Sequence, residues 1–362
     1  MGLDLVFKVA MLMNKYLPQA RPTGIGIVGY ELARALSNQG MSVTLFCHGN
    51  LLTNHKDDDA NLSIVEFPRY TLTVMERLLQ NSKSLDFDFF HIHTTSTLPP
   101  LLMAKLFGRG LVRHFHGLAR GVERRIACEL SDRIVVPSNY TKNSFPKKFI
   151  QKTEVVYNGV DPEAFKPLNP LNVREKYSLP EKSRIILSVG MVQERKGQQF
   201  IIEILNEIAK DFPDIVYVNV GRAYSPQYLQ WLESLAEEKV PGRVRFLAGV
   251  PQEDLVRLIN SATICVHPSL GESFALAIVE QMSCQKSVVA FDNSGTPEIV
   301  QHLENGMLVK TRDLRNLKDS IVMLLSDDKL REELGRKARH TVLDSFTWDA
   351  AAKKTIFLYK EI

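Results

Sequence analysis

The stretch His267–Val300, HPSLGESFALAIVEQMSCQKSVVAFDNSGTPEIV, decides how this chain is read. An apolar run, Ala262–Val266, feeds a short loop from His267 to Ser273. A helical stretch then starts near Phe274, and Val288–Phe291 reads as the next strand. Strand, loop, helix and strand in this order make one unit of an α/β protein. Two carboxylates, Glu272 and Glu280, bracket the helix start with seven residues between them. The first sits at the helix mouth, where unpaired backbone N–H groups and the helix dipole form an anion site. The second lies about two turns on, so both side chains can occupy related faces of one element. Taken singly, each glutamate reads as a solvated surface residue. Together with His267-Pro268-Ser269, the small Ser273 and Ala275, and Gly295-Thr296-Pro297-Glu298 after the next strand, they read as a ligand site. A carboxylate beside an anion site suits a ligand that carries hydroxyls as well as phosphate.

Working outward, the chain alternates apolar strand-like runs with helical stretches, which implies parallel sheets covered by helices. The first half shows strands at Leu5–Met13, Ser42–Cys47, Leu62–Phe67, Asp88–His93, Gly110–His116 and Arg133–Pro137, with a helix at Ile27–Gln39. The second half repeats the theme through Arg184–Val189, Gln198–Asp211, Ile215–Val220, Gln227–Glu238, Val244–Leu247 and Gln252–Ser261. Two successive α/β halves predict twin Rossmann-like α/β/α domains facing one cleft. Pro167–Pro180 is rich in proline, and the boundary is placed there: 1–170, then 171–345, then a terminal helix over 346–362.

At 362 residues the chain is long enough for two cores. Its 44% hydrophobic and 24% charged residues are those of a soluble globular protein. A net charge of +4 is too small to argue for nucleic acid. Cys47, Cys128, Cys265 and Cys284 are far apart and lie among apolar residues, as buried thiols of a reducing cytosol do. No secretory signal or spanning segment is evident, so a cytoplasmic location is expected.

Gly24-Ile25-Gly26-Ile27-Val28-Gly29 spells G-x-G-x-x-G. A dinucleotide site needs these glycines directly after the strand and an acidic residue ending the second strand. Here ten residues intervene after Met13, and the second strand ends Phe46-Cys47-His48-Gly49, so the NAD reading is weak. A glycine loop before a helix N-terminus, able to approach a phosphate or sugar closely, is the better reading. His93 and His114-Phe115-His116-Gly117 lie at carboxyl ends of strands, the ligand-binding edge of open α/β sheets. Gly190, followed by Arg195-Lys196 before a helix, is formed to hold a diphosphate.

The His267–Val300 segment resembles the signature of GT-B glycosyltransferases of family 4, retaining enzymes that use nucleotide sugars, and contains their E-x7-E pair. Lys196-Gly197 resembles the family's Lys-Gly, His116-Gly117 its strand-end His-Gly, and Asn305-Gly306 with Leu308-Val309 its "NG-LV" element. The resemblance implies a GT-B fold whose C-terminal helix, from Phe346-Thr347-Trp348, crosses back to the N-domain. It implies a donor site in the C-domain, with Glu280 on ribose hydroxyls and Glu272 on hydroxyls of the transferred sugar. Lys196, Arg195 and the helix start Ser273-Phe274-Ala275-Leu276 would hold the diphosphate. The family arginine after the strand glycine is Met191 here, so Arg195 or Arg222 is expected to replace it. Gly24 and Gly26 would line the donor, His116 would act at the donor sugar, and His93 would contact the acceptor.

Asp86-Phe87-Asp88 matches the metal motif of the other glycosyltransferase fold, but it precedes its strand, and no metal or cofactor is expected. The expected reaction is transfer to a hydroxyl acceptor, a glycan or lipid-linked glycan of envelope or exopolysaccharide synthesis. The alternatives are a small soluble acceptor and a non-catalytic nucleotide-sugar-binding subunit. Leu101–Arg113 with Arg120, Arg124, Arg125, Lys147 and Lys148 offers an apolar-basic face for peripheral contact with the inner membrane surface. A plain core-facing helix over Leu101–Phe107 explains the apolar part equally.

Overall fold

The computed structural model describes residues 7–15, 24–48, 53–56, 62–67, 86–93, 101, 109–118, 121–170 and 172–362. The chain divides into two compact units, Met1–Gly159 with Trp348–Ile362, and Val160–Thr347.

The first unit carries β1 (Lys8–Lys15), α1 (Gly24–Asn38), β2 (Ser42–His48), β3 (Thr53–Lys56), β4 (Leu62–Phe67), β5 (Phe89–Ile92) and β6 (Gly110–His114). They are followed by α2 (Val122–Leu130), β7 (Arg133–Val136), α3 (Asn139–Lys142), α4 (Lys147–Ile150) and β8 (Thr153–Val155). The strands form one sheet in the order β3-β4-β2-β1-β5-β6-β7-β8. The described pairings are parallel except that β3 runs antiparallel to β4. Ala10, Leu12, Phe90, Ile92, Leu111 and Ile134 meet in its core, as near-continuous apolar strands of a covered parallel sheet do.

The glycine loop expected at Gly24 and Gly26 is instead the first turn of α1. Gly26 and Gly29 are buried, and a Cβ on Gly29 would stand 3.2 Å from Met13 Sδ. Gly29 therefore serves close packing of helix on strand. The residues before Gly24 that complete the expected loop lie outside the described residues, as do Arg120 and most of Leu101–Phe107.

The second unit carries α5 (Val173–Lys176), β9 (Arg184–Val189), α6 (Gln198–Asp211), β10 (Ile215–Val220), α7 (Pro226–Lys239), β11 (Val244–Leu247) and α8 (Gln252–Ser261). It continues with β12 (Ile264–His267), α9 (Leu276–Ser283), β13 (Val288–Asp292), β14 (Met307–Lys310), α10 (Leu314–Ser326) and α11 (Asp328–Ser345). Its parallel sheet runs β11-β10-β9-β12-β13-β14. Numbered within the unit this order is 3-2-1-4-5-6, the doubly wound pattern of a Rossmann sheet. Tyr217, Ile186, Ile264, Phe291 and Leu205 are fully buried in its core.

The unit begins at Val160, ahead of the expected break after residue 170. The Val160 N–H donates to Phe346 O at 2.9 Å, and Val160 bridges Thr347, so both edges of the unit are stitched together. Ser283 Oγ donates to Phe165 O at 2.5 Å, drawing the following segment onto α9.

The last helix, α12 (Trp348–Lys360), returns to the first unit, as the resemblance implied. Tyr359 stacks on Phe89 with ring centroids 4.6 Å apart, and Gln39 Nε2 donates to Asp349 Oδ1 at 2.5 Å.

Candidate functional site

In a 3-2-1-4-5-6 sheet the connections leave in opposite directions at one point, and ligands bind outside the carboxyl ends of the two strands there. In the second unit those strands are β9 and β12. The β9 loop runs through Gly190 to a single 3-10 turn, Glu194–Lys196. The β12 loop runs through His267-Pro268-Ser269 to Glu272. Gly197 joins them: its φ is +75°, and a Cβ there would stand 2.0 Å from Pro268 O. A residue other than glycine would force the loops apart. The Leu270 N–H also donates to Arg195 O at 2.7 Å, so the backbone itself places the Arg195-Lys196 pair against the Glu272 loop.

Glu272 is the centre of this contact. Lys196 Nζ lies 2.5 Å from its Oε1, and Arg195 Nη1 lies 3.3 Å from its Oε2. Ser269 Oγ donates to Oε1 at 2.7 Å, and His267 Nε2 lies 3.3 Å from the same oxygen. Burial alone would raise the Glu272 carboxyl. The His267 contact and the charges of Lys196 and Arg195 outweigh it and hold the group well below the usual carboxylate range. Burial lowers the His267 imidazole, so it meets Glu272 neutral, donating from Nε2. The result is a buried carboxylate clasped by two cations, one of them 46% exposed and so able to serve an incoming anion.

The helix after this loop starts at Leu276, two residues later than expected. Gly295 explains the delay: its N–H donates to Glu272 O at 2.9 Å, and a Cβ on it would stand 2.4 Å from Ser273 O. That close approach holds Glu272-Ser273 as loop, while Phe274 packs on Phe346 with centroids 5.9 Å apart. Glu272 therefore precedes α9 and does not share a helix face with Glu280. Glu280 is buried within α9 at 6% exposure, which removes the solvated-face reading. Of the two arginines offered for the Met191 position, Arg195 is the one on Glu272. Arg222 is exposed, and its carbonyl accepts from Val192 N–H at 2.9 Å. His267 and Ser269, read from the sequence only as flanks of the glutamate pair, contact Glu272 directly, and Asn293, to which sequence reasoning gave no role, donates from Nδ2 to Ser269 O at 2.8 Å.

The first unit gathers histidines at the ends of β5 and β6. His116 falls just past the strand, which ends at His114. His93 Nδ1 lies 3.2 Å from His116 Nε2, and His91 Nδ1 lies 2.6 Å from Tyr359 Oη on α12. His93, expected at the acceptor, is 1% exposed against His116. Burial, reinforced by the Arg113 charge, holds His91 and His116 at about 3, and holds His93 and His114 well below the ordinary 6.5. Between those values the unfolded chain binds protons that the folded cluster excludes. Stability is thus full above pH 6.5 and declines as pH falls below it. Tm should drop between pH 7 and pH 5, above the range where Glu272 titrates; a flat Tm there would contradict the burial of the cluster.

Nitrogens of His91, His93 and His114 lie within 4.8 Å of one another, close enough to consider a metal. The rings stack, however, at 4.7 Å for His91 on His93 and 5.5 Å for His91 on His114. Lone pairs of stacked rings lie in nearly parallel planes and do not converge on one ion about 2 Å from each. Asp86-Phe87-Asp88 fits a metal no better: Asp86 Oδ2 accepts from Lys8 Nζ at 2.6 Å and Asp88 Oδ2 from Lys8 N–H at 2.8 Å. Both aspartates close the amino-terminal edge of the sheet, away from the ligand-binding edge.

Comparison with known proteins agrees with this geometry. N-acetyl-alpha-D-glucosaminyl L-malate synthase of Bacillus anthracis is 22% identical over 366 residues, covering 94% of each chain. D-inositol 3-phosphate glycosyltransferase of Corynebacterium jeikeium is 32% identical over 216 residues, 58% of this chain and 51% of that one. This chain thus spans about half the length of that relative. Among solved structures, HepE of Anabaena in complex with UDP-glucose superposes with a TM-score of 0.79 at 19% identity, over 98% of this chain and all of that one. Residues 22–164 match the model for Glycosyltransferase Family 4, and residues 171–341 match that for Glycosyl transferases group 1. The chain belongs to the family 4 glycosyltransferases and is an enzyme of that class, built on two Rossmann-like units of the GT-B fold.

Proposed function

We propose that the protein transfers a sugar, with retention of anomeric configuration, from a nucleotide sugar to a hydroxyl acceptor. The observation that carries this reading is the clasp of Lys196 and Arg195 on Glu272 at the switch point between β9 and β12. It sets cations and a hydroxyl-binding carboxylate side by side, as a sugar diphosphate demands. In this reading the diphosphate takes over Arg195 and Lys196 from Glu272, whose oxygens then accept from hydroxyls of the transferred sugar. Glu280 accepts from the ribose. The bond from the anomeric carbon to the diphosphate breaks, the acceptor oxygen bonds to that carbon on the same face, and its proton passes to the leaving phosphate. Lys196 and Arg195 stabilise the charge that develops there. His116, held neutral, acts on the donor sugar.

The acceptor is a glycan or lipid-linked glycan of the cell envelope, or a small soluble hydroxyl compound. The name of the Bacillus anthracis relative, N-acetyl-alpha-D-glucosaminyl L-malate synthase, favours the second. A cytoplasmic site of action suits the four free, buried cysteines. No helix of the described residues is long and apolar enough to cross a membrane.

Incubation with UDP-, GDP- and ADP-sugars and hydroxy-acid acceptors, followed by proton NMR of the product, tests the reading. Retention of the donor's anomeric configuration is expected, and inversion would overturn it. Since protein cations neutralise the leaving group, turnover should persist in excess EDTA; abolition restored by a divalent ion would contradict that assignment.

A further inference from the structure

We infer that His93 is a positioning residue that holds His116 in its Nδ1–H tautomer, so that His116 meets its ligand as a hydrogen-bond donor. The inference rests on the reading of His116 as a group that acts in transfer. His93 Nδ1 and His116 Nε2 are 3.2 Å apart while the ring centroids are 5.2 Å apart, so the two rings meet edge to edge. One hydrogen occupies that contact, because burial keeps both rings neutral.

Two assignments are available. If His116 donates from Nε2, the His93 proton must sit on its own Nε2, which is buried and has no hydrogen-bond partner among the described residues. A buried, unpaired N–H is among the rarest defects of folded proteins. If His93 donates from Nδ1, only a bare lone pair is left at that position, which is the milder defect. The second assignment leaves the His116 proton on Nδ1. His91 lies against the His93 ring at 4.7 Å and His114 at 4.5 Å, so the plane of that ring is fixed. His91 is in turn fixed by Tyr359 of α12. With Nε2 engaged, His116 cannot take a proton through that atom, and its remaining polar atom can only donate. The C-terminal helix thus helps set the chemistry of a residue more than two hundred positions earlier in the chain.

Protein labelled with 15N-histidine, read by long-range 1H–15N correlation at pH 7.5, tests this directly. The His116 signals are assigned by their loss in His116→Ala. A protonated Nδ1 and a pyridine-like Nε2 are expected; the reverse pattern, or an average of the two, overturns the inference. Two variants provide the kinetic readout. His93→Asn keeps an N–H where Nδ1 stands and should retain most of kcat. His93→Leu should lose about 10- to 100-fold in kcat with donor KM little changed, as loss of an orienting partner does. Equal losses in both variants would mark His93 as merely structural and overturn the proposal. Unchanged kcat in His116→Ala would instead overturn the role of His116 itself, whatever tautomer the spectrum shows.

Discussion

Replacing Lys196 by alanine should lower kcat/KM for the sugar donor by about 10²- to 10³-fold, the usual loss when one preorganised group on developing charge is removed. Lys196 is 16% exposed, lies 2.5 Å from Glu272 and is seated by the backbone of its own loop, so its charge is already placed at the proposed site of the diphosphate. The same substitution removes a partner from a buried carboxylate. Breaking a buried pair costs about 3–5 kcal/mol when nothing else compensates. Here Arg195, Ser269 and His267 remain on Glu272, so the fall in stability should be smaller than the fall in activity. Titration of the donor alongside steady-state rates separates the two. A kcat/KM within threefold of wild type in a folded protein would take Lys196 out of the site.

Gly197→Ala should be the most damaging single-methyl change in the second unit. The new Cβ would stand 2.0 Å from Pro268 O and 2.9 Å from Phe200 Cδ2, at a backbone φ of +75°. Left-handed backbone alone costs about 1 kcal/mol or a little more for alanine. The backbone oxygen cannot yield without moving the loop that carries Glu272, so a total of about 2–4 kcal/mol is expected, within the range of single-site strain and overpacking. In a unit of this size that lowers Tm by about 10 °C. Activity should fall more than tenfold, because the cations and the carboxylate move apart. Gly242→Ala is the control: its φ is +73° with nothing within 4 Å of the new Cβ, so it carries the backbone strain alone. Equal effects at the two glycines would show that the approach to Pro268 does not matter.

Much of this arrangement was legible in the sequence. Arg184–Val189, Gln198–Asp211, Ile215–Val220 and Gln252–Ser261 fall within the bounds their apolar runs predicted, because buried parallel strands and amphipathic helices write their periods directly. The glycines at 24, 26 and 29 were read as a loop because G-x-G-x-x-G has the same letters whether it cradles a ligand or lets a helix settle on a strand. The late start of α9 could not be read locally, since Gly295, some twenty residues on, holds the loop open. Nor does sequence report that Lys196 and Glu272, 76 positions apart, form an ion pair; that follows from β9 and β12 being neighbours in the sheet. His93 was assigned to the acceptor for the same reason: only the adjacency of β5 and β6 shows that it faces His116 instead.

The central claim is that the carboxyl ends of β9 and β12 bind a nucleotide sugar. Isothermal titration of UDP-, GDP- and ADP-sugars in EDTA, into wild type, Lys196→Ala and Glu280→Ala, tests it most directly. The account predicts saturable binding of at least one donor by wild type, weakened at least tenfold in each variant with the fold intact. Absence of binding by any donor, or equal affinity in all three proteins, would contradict it.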